Sequence, residues 1–223
     1  MNKTILEVSN VTKKVTSPEG ELTIVNDISL SLEKGVFASI LGPSGSGKTT
    51  LLAIMAGLDL PSSGSVKLLD KEITSLNEDK RAQIRSKDVG FVFQSFHLLP
   101  RLSALDNVMM PLEILGAKDA KERALKALDE VGLSKRTGHV PHQLSGGEKQ
   151  RVAIARAMVK APSILFADEP TGNLDQSSTD NILELLLGIN KQTKTTLVVV
   201  THDQQLASRS DMVFELQEGK LKC

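Results

Sequence analysis

The sequence is poor in aromatic residues: only six of its 223 residues are phenylalanine, and neither tyrosine nor tryptophan occurs. Proteins that hold single-stranded nucleic acid commonly stack the bases on aromatic side chains, and such a surface is poorly supplied here. The 27 basic and 27 acidic side chains cancel, so the formal net charge is zero. Bulk electrostatics therefore gives no reason to expect nucleic acid as a partner.

Cysteine and long apolar runs are equally scarce. The single cysteine is Cys223, so no disulfide within the chain is expected and a reducing compartment is favoured. Residues 1–7 contain no apolar run of the kind found in signal peptides. No uncharged stretch of about twenty apolar residues occurs either. We therefore expect a soluble protein that would reach a membrane only through a partner.

Nine consecutive residues form the most informative stretch of the chain. They are Gly42-Pro43-Ser44-Gly45-Ser46-Gly47-Lys48-Thr49-Thr50, and they match the phosphate-loop pattern G-x-x-x-x-G-K-[ST] in full. Small residues let backbone N–H groups approach a triphosphate without a Cβ in the way. Lys48 would place a charge between the β- and γ-phosphates, and the Thr49 hydroxyl can ligate Mg²⁺. The stretch therefore predicts a loop that binds nucleotide phosphates.

The residues on either side of this loop favour the same interpretation. Residues 36–41 are a short, apolar, β-branched run that predicts a buried strand. Lys48 to Ala56 predict a helix that ends at Gly57 and points its positive N-terminal dipole at the phosphates. The alternative is a chance glycine turn, and the strand before it and the helix after it argue against chance.

The rest of the chain predicts an α/β fold. The stretch from 94 to about 160 is helical in character and includes an amphipathic helix from Ala120 to Val131, in which Glu122 is placed to pair with Lys126. We expect one domain, 1–223, with a mixed-sheet core, an N-terminal antiparallel β portion and an inserted helical subdomain. The expected core is about 1–93 and 161–223, and the expected helical subdomain is about 95–160. The other predicted strands are 5–11, 22–32, 65–69, 89–93, 164–168, 196–201 and 212–216.

Two acids follow an apolar strand at Asp168 and Glu169. Ligands of open parallel sheets bind at the carboxyl ends of the strands, so both carboxylates would emerge beside the phosphate loop. We assign Asp168 to Mg²⁺, through a water molecule, and Glu169 to the general base that deprotonates the attacking water. A strand that ends in acids is weak evidence alone, and it is strong evidence after a phosphate loop.

A second glycine-rich turn precedes the helix predicted from Glu148 to Met158. It reads Leu144-Ser145-Gly146-Gly147-Glu148, with Ser145 as N-cap and two glycines that leave backbone N–H groups accessible. The simpler reading is an ordinary helix cap. The alternative is a second anion site. Because the first loop already binds the chain's own phosphates, this second site would bind the nucleotide of another copy.

The chain resembles the ATP-binding cassette (ABC) ATPases, over essentially its whole length, and the LSGGE pentapeptide is nearly diagnostic. Residues 93–100 and 169–175 further resemble the subgroup of lipoprotein-releasing and macrolide-exporter ATPases, whose membrane partner is an FtsX-like permease. The features that carry the resemblance are, in order, the phosphate loop, Gln94, Leu144-Ser145-Gly146-Gly147-Glu148, Asp168-Glu169, Asn173-Leu174-Asp175 and His202.

The resemblance implies a P-loop ATPase that converts ATP and water to ADP and phosphate with Mg²⁺. Gln94 would contact Mg²⁺ and the attacking water, and His202 would reach the γ-phosphate. Asp175 would lie at a dimer interface beside the partner's phosphate loop. The turn Ser145-Gly146-Gly147-Glu148 of one copy would close on the γ-phosphate held by the other. Two copies would thus form a head-to-tail homodimer that encloses two ATP molecules.

The same resemblance implies the partner and the location. ATP-driven closure would drive an FtsX-like integral membrane permease, which would hold the ATPase at the cytoplasmic face of the inner or cell membrane. An apolar cluster follows Gln94, and it would pack between core and helical subdomain, form a groove for the permease, or both. The transported molecule is left open because its recognition would lie in the permease. The cluster consists of Phe96, Leu98, Leu99 and Leu102.

One position departs from the family pattern. The family usually places an aromatic residue near Val15, where it stacks on adenine, and the local stretch here is Lys13-Lys14-Val15-Thr16. Such stacking contributes on the order of 1 kcal/mol. We therefore keep Val15 as the base-contacting position and expect a weaker preference for ATP over GTP, with the phosphate chemistry unaffected.

Other functions fit the residues less well. A small-molecule P-loop kinase would share the phosphate loop but would have no use for Leu144 to Glu148. A DNA-repair or chromosome-organising ABC ATPase would need long coiled-coil arms, and a translation-type one normally carries two cassettes in one chain. A regulatory scaffold, in which nucleotide-driven dimerisation signals to a partner without true transport, is the non-enzymatic alternative, and Glu169 and His202 argue against loss of catalysis.

Overall fold

The computed structural model describes residues 3–18 and 20–222. Cys223, on which the disulfide prediction rests, lies outside them, as do the first two residues of the segment inspected for a signal peptide. The described chain forms two compact units, one that extends through Arg85 and resumes at Thr196, and one from Ser86 to Thr195. The helical subdomain predicted at about 95–160 falls within the second unit, and its boundaries stay a prediction.

The described residues begin with three strands, continue with mixed strands and helices, and include three successive α-helices between β6 and β7. The strands are β1 (Thr4–Ser17), β2 (Gly20–Glu33), β3 (Phe37–Leu41), β4 (Ser63–Leu68), β5 (Lys71–Glu72), β6 (Val89–Val92), β7 (Ile164–Asp168), β8 (Thr196–Thr201), β9 (Met212–Gln217) and β10 (Lys220–Leu221). The α-helices are α1 (Lys48–Met55), α2 (Glu78–Asp88), α3 (Ala104–Ile114), α4 (Ala120–Glu130), α5 (Gly146–Met158), α6 (Gln176–Thr193) and α7 (Gln204–Ala207). None of the described helices combines the length and the apolar character needed to cross a bilayer.

The first unit contains an antiparallel sheet and a mixed one. The antiparallel sheet has the strand order β2-β1-β4-β5, and its long β1–β2 hairpin contains several register shifts that let the strands extend beyond the predicted 5–11 and 22–32. In the mixed sheet, β3 lies parallel to both β8 and β9, and β10 pairs antiparallel with β9. The position of β3 between two strands explains why nearly all of its side chains are buried.

The second unit packs helices around a separate apolar cluster. Strands β6 and β7 pair in parallel, with Val92 opposite Ala167. Helix α4 ends at Glu130, one residue earlier than predicted, and its apolar face contributes Ala124 and Leu128 to the cluster. The predicted pair of Glu122 with Lys126 is wrong, because the Lys126 ammonium instead lies 3.9 Å from Glu130 on the next turn.

Asn107 in α3 holds the loop that leads into that helix. Its side chain is fully buried, its Oδ1 accepts from the backbone N–H of Leu99 at 2.8 Å, and its Nδ2 contacts the carbonyls of Leu99, Leu102 and Ser103 at 3.0 to 3.2 Å. One amide therefore satisfies backbone groups of a five-residue loop that has no regular structure. Nothing in the local sequence distinguishes this asparagine from an exposed one.

We expect Asn107→Ala to lower the free energy of unfolding by about 3 kcal/mol, because the Leu99 N–H and the Leu102 carbonyl lose the hydrogen bonds that the buried amide makes to them. Urea denaturation followed by circular dichroism measures the effect. The matched control is Asn181→Ala, whose exposed amide donates to the carbonyl of Ser177, and which should change stability by less than about 0.5 kcal/mol. Equal effects of the two substitutions would contradict the role of Asn107.

Candidate functional site

The phosphate loop joins β3 to α1 and is built for close backbone approach. The N–H of Gly42 donates to the carbonyl of Thr201, and a methyl carbon on Gly42 would lie 2.3 Å from the carbonyl oxygen of Leu216. Gly45 and Gly47 have φ values of +80° and +98°, which L-residues with a Cβ rarely adopt. Glycine is therefore required at 42 because a Cβ would collide with the Leu216 carbonyl. It is required at 45 and 47 because the backbone there is left-handed.

Lys48 lies inside the loop that precedes it. Its side chain is only 7% exposed, and its Nζ donates to the carbonyls of Gly42 at 2.8 Å and Pro43 at 3.0 Å. These bonds hold the positive charge against the concave side of the loop. The ammonium therefore lies among backbone groups of the loop, and its predicted contact with the phosphates stays a prediction.

The start of α1 differs from the starts of α3, α5, α6 and α7. Those helices begin with a serine or aspartate side chain that caps the first turn. Helix α1 instead begins at Gly47 with no side-chain cap and with no acidic residue in its first turn. Its N-terminal partial positive charge is thus not offset by a side-chain cap, which suits a bound anion. The exposed Thr49 and half-buried Thr50 lie in this first turn.

His202 lies beside the entrance of the loop, in the same unit. Strands β3 and β8 pair in parallel with Leu41 opposite Thr201, so the residues that follow them emerge at one edge of the sheet. Gly42, Pro43 and His202 share the lining of a cavity of about 320 Å³. His202 therefore lies beside the phosphate loop, and its predicted contact with the γ-phosphate stays a prediction. The remaining lining residues, none of which was predicted to belong to the site, are Leu41, Gln204, Glu215, Leu216, Gln217 and Lys222.

Gln94, Asp168 and Glu169 come together in the second unit. They follow or end the parallel strands β6 and β7, so all three lie at the same edge. Glu169 adopts a left-handed backbone, φ +44°, and its carbonyl accepts from the N–H of Gly172 at 3.0 Å. A methyl carbon on Gly172 would lie 2.9 Å from Gln94 Nε2 and 3.5 Å from Glu169 Cβ. Strained backbone of this kind is typical of functional sites.

The second glycine-rich turn starts α5 with reciprocal capping bonds. The Ser145 hydroxyl accepts from the N–H of Glu148 at 3.2 Å, and the Glu148 carboxylate accepts from the N–H of Ser145 at 2.9 Å. The capping bond uses a lone pair of the Ser145 hydroxyl, which is exposed and also hydrogen-bonds the Glu148 carboxylate. The predicted N-cap is therefore present, but the helix begins at Gly146, two residues before the predicted Glu148.

Glu148 is engaged within its own chain. Its pKa is lowered, first by the backbone N–H of Ser145 and then by Arg136, whose Nε donates to the carboxylate at 2.9 Å. Glu148 therefore carries its charge at neutral pH as part of the capping box, and Arg136 offsets that charge. This arrangement leaves Ser145 as the exposed polar residue of the turn, while Gly146 is half-buried and Gly147 is buried.

Asp175 caps α6 next to the same turn. Hydrogen bonds from the Ser178 N–H, and then from the hydroxyls of Ser177 and Ser178, lower its pKa to about 2. The cap therefore stabilises the folded chain fully above about pH 4, the ordinary range of an aspartate, and its contribution is lost as the pH falls through about 2. Methyl carbons on Gly146 and Gly147 would lie 3.2 Å from Leu174 Cδ2 and 3.0 Å from Ser178 Oγ, so the turn packs against the start of α6.

Val15 lies in β1, opposite Leu22 of β2, and is half-buried. The structure thus places it on a hairpin of the first unit and not on the phosphate loop itself. Its predicted contact with the base stays a prediction.

The oxygen ligands available for a metal ion suit Mg²⁺. The described residues contain no cluster of three or more histidine, cysteine, aspartate or glutamate side chains that could hold a metal alone. Mg²⁺ is usually held by one or two protein oxygens together with substrate phosphates, so a complete protein cage is not required. The predicted ligands Thr49, Gln94 and Asp168 carry a hydroxyl, an amide carbonyl and a carboxylate, which are hard donors of this class, and their binding of one ion stays a prediction.

Comparisons with known proteins give a consistent result over the whole chain. Residues 25–172 match the family model described as ABC transporter. The chain is 47% identical to the "Lipoprotein-releasing system ATP-binding protein LolD" of Legionella pneumophila (strain Paris), over 99% of this chain and 98% of that protein. It is 49% identical to the "Uncharacterized ABC transporter ATP-binding protein YbbA" of Escherichia coli (strain K12), over 98% of this chain and 96% of that protein.

Solved structures agree with the sequence comparisons. The fold is similar to the ATP-binding cassette MJ0796, solved as a dimer in a post-hydrolysis state bound to ADP and Pi. The TM-score is 0.91 at 38% identity, over 98% of this chain and 97% of that one. A second dimeric structure of MJ0796, titled as a bacterial ABC transporter cassette, also has a TM-score of 0.91, at 39% identity.

Proposed function

The chain belongs to the ABC transporter family, as the resemblance of its motifs predicted, and from that premise we propose how its residues turn ATP hydrolysis into movement of a membrane partner. It is an ATP-binding subunit with ATPase activity, on an α/β fold. What remains to be assigned is the role of each site residue, the use of a second copy and the nature of the membrane partner.

We propose that the phosphate loop and Lys48 hold the triphosphate of ATP. The glycine clearance, the buried ammonium and the uncapped start of α1 support this role. His202, at the edge of the cavity that begins at Gly42, would donate to the γ-phosphate. Mg²⁺, when bound, would neutralise developing charge on the β- and γ-phosphate oxygens, with Thr49, Gln94 and Asp168 as its protein ligands, Asp168 through a water molecule.

We propose that Glu169 acts as the general base. The carboxylate would take a proton from water as the water oxygen attacks the γ-phosphorus in line with the departing ADP oxygen. Gln94 would orient that water, since its amide and the Glu169 side chain flank the same bare Cα of Gly172. The left-handed backbone of Glu169 supports this role, because strained backbone of this kind clusters at functional sites.

A second copy would complete the site. The observation that carries this proposal is the start of α5, where the Ser145 hydroxyl is exposed and the two glycines pack on α6 without covering it. Ser145, Gly146 and Gly147 of one copy would close on the γ-phosphate held by the other, with Asp175 beside the partner's loop. MJ0796 was solved as a dimer, which supports the same assembly here.

The membrane partner is proposed to be an FtsX-like permease, at the cytoplasmic face of the inner or cell membrane. One relative is named for lipoprotein release, which favours a release or efflux system of that type. Leu99 is 41% exposed on the loop that Asn107 holds, while Leu98 packs against the apolar cluster of the second unit. A loop that is held in place and carries an exposed leucine suits docking of a permease segment. In this proposal Leu98 packs against the apolar cluster and Leu99 contacts the permease.

The test of the two-copy site is Ser145→Arg. The added side chain should block closure and lower the ATPase rate at least about 100-fold, while monomer binding of ATP is retained, since the phosphate loop is unchanged. Rate and binding are measured with phosphate release and with a fluorescent ATP analogue, and Ser75→Arg serves as the control on an exposed turn. Full activity of Ser145→Arg, or of a strictly monomeric preparation at any dilution, would contradict the proposal.

The permease proposal and the scaffold alternative are separated by a different experiment. Co-expression with an FtsX-like membrane protein encoded beside this chain should yield a complex that is retained through purification. Reconstituted in vesicles, that complex should couple hydrolysis to movement of a substrate. A stable complex that signals through ATP binding alone, and is unaffected by loss of hydrolysis, would favour the scaffold.

A further inference from the structure

The segment that carries Gln94 continues into an unusual backbone. Phe96 and His97, which directly follow Ser95, have φ values of +61° and +47°, so two successive side chains with a Cβ adopt the left-handed conformation. Residues of this kind rarely take it up without outside support. The surrounding structure must therefore hold the segment in place, and it does so from two sides.

The first support is Arg156 of α5. Its guanidinium donates to the carbonyl of His97 at 2.6 Å and to that of Phe96 at 2.8 Å, which are the two left-handed residues. Burial lowers the pKa of Arg156, so these carbonyls take the place of water around a largely desolvated charge. The planar fork of arginine reaches the two carbonyls with two separate nitrogens, a geometry that the single nitrogen of a lysine does not reproduce.

The second support is the turn that follows Glu169. Asn173 Nδ2 donates to the carbonyl of Gln94 at 3.0 Å, and the N–H of Gly172 donates to the carbonyl of Glu169 at 3.0 Å. The bare Cα of Gly172 lets the Gln94 amide lie against this turn, because a methyl carbon there would lie 2.9 Å from Gln94 Nε2. Gly172 does not have a positive φ, so space at this position and not backbone handedness favours glycine.

We propose that Gly172 and Asn173 are positioning residues that set the distance between the Gln94 amide and Glu169. This inference rests on the proposed roles of Gln94 and Glu169. The turn acts through Gln94 and does not touch the reacting atoms itself. Arg156 holds the other end of the Gln94 segment, so a displacement of the amide at Gly172 is not absorbed by the loop that follows.

The experiment compares Gly172→Ala with Gly138→Ala. Neither glycine has a positive φ, and a methyl carbon on Gly138 would meet nothing within 4 Å, so the control adds the same atom without a collision. We expect Gly172→Ala to lower kcat about tenfold with KM for ATP changed by less than about twofold, because a displaced group costs rate while the phosphate loop is intact. Gly138→Ala should behave as the wild type does.

A double-mutant cycle shows whether the effect passes through Gln94. In a Gln94→Ala background, Gly172→Ala should cause no further loss of kcat, whereas independent effects would multiply. In the absence of nucleotide, the side-chain amide resonances of Gln94, assigned by their loss in Gln94→Ala, should shift in Gly172→Ala and not in Gly138→Ala. Asn173→Ala, an exposed substitution, should give a smaller loss of kcat and serves if Gly172→Ala folds poorly.

The outcomes separate this inference from the proposed function. A wild-type kcat and unshifted Gln94 amide signals in Gly172→Ala would overturn the positioning role and would leave the base role of Glu169 untouched. Multiplicative losses in the cycle would overturn it as well, since the turn would then act independently of Gln94. Full turnover by Glu169→Gln would instead contradict the proposed base role itself, independently of the result for Gly172→Ala.

Discussion

Glu169→Gln is expected to abolish steady-state hydrolysis, with kcat lowered at least about 100-fold, and to leave an ATP-bound dimer that persists. The amide has the shape of the carboxylate but cannot accept the proton of the attacking water, and a general base commonly contributes 10²–10⁴-fold. Binding should survive because the phosphate loop lies elsewhere in the chain. Phosphate release measures the rate, and size-exclusion chromatography with Mg²⁺ and ATP measures the dimer.

The control for this substitution is Glu122→Gln, an equal change of charge on the exposed face of α4. It should leave both the rate and the elution volume unchanged. Near-normal turnover by Glu169→Gln would remove Glu169 from the base role. Loss of turnover without a persistent ATP-bound dimer would place Glu169 in binding and not in chemistry.

Gly47→Ala is expected to weaken ATP binding more than 100-fold. Two costs act at this position: φ is +98°, which costs an alanine about 1–2 kcal/mol, and the methyl carbon would lie 2.7 Å from the carbonyl oxygen of Ile24 in the neighbouring strand. The backbone must therefore shift at the residue from which α1 begins. Such a shift misaligns the N–H groups and Lys48 together, which equilibrium binding of a fluorescent ATP analogue would detect.

Gly116→Ala is the control that separates the cost of backbone strain from the cost of a steric collision. Gly116 also has a positive φ, +72°, but a methyl carbon there would meet nothing within 4 Å. We expect this control to lose about 1 kcal/mol of stability and none of its affinity for ATP. Equal binding by Gly47→Ala and the wild type would show that the loop tolerates the shift, and the geometric argument for Gly47 would be wrong.

The parts of the site that the sequence predicted are those whose chemistry depends on near neighbours along the chain. The phosphate loop, the acids at the end of β7 and the Ser145 cap are each contained in fewer than ten residues, and each is found where it was predicted. The helix start at Gly146 was missed by two residues because glycine is a poor helix former in isolation. Here the two glycines join the helix because they pack against Leu174 and Ser178.

Other features were beyond sequence reasoning because their partners are distant in the chain. Arg156 bonds residues 59 and 60 positions away, and Asn173 bonds Gln94 across 79 positions. The Lys126 pairing was mispredicted for a related reason: spacing on a helix allows either neighbour at four residues, and the side-chain conformation selects Glu130. No local pattern marks which of several allowed contacts is made.

The sequence by itself determined the chemistry of this chain: a loop that must approach phosphate closely, a lysine to hold charge within it, and two acids at a strand end. These follow from residue type and short spacing, because steric clearance and charge are local properties. The tertiary structure alone decided how the Gln94 segment is held, through Arg156, Gly172 and Asn173. The reason is that the left-handed backbone at Phe96 and His97 is held by a guanidinium that lies 59 and 60 positions away in the chain, which no local pattern predicts.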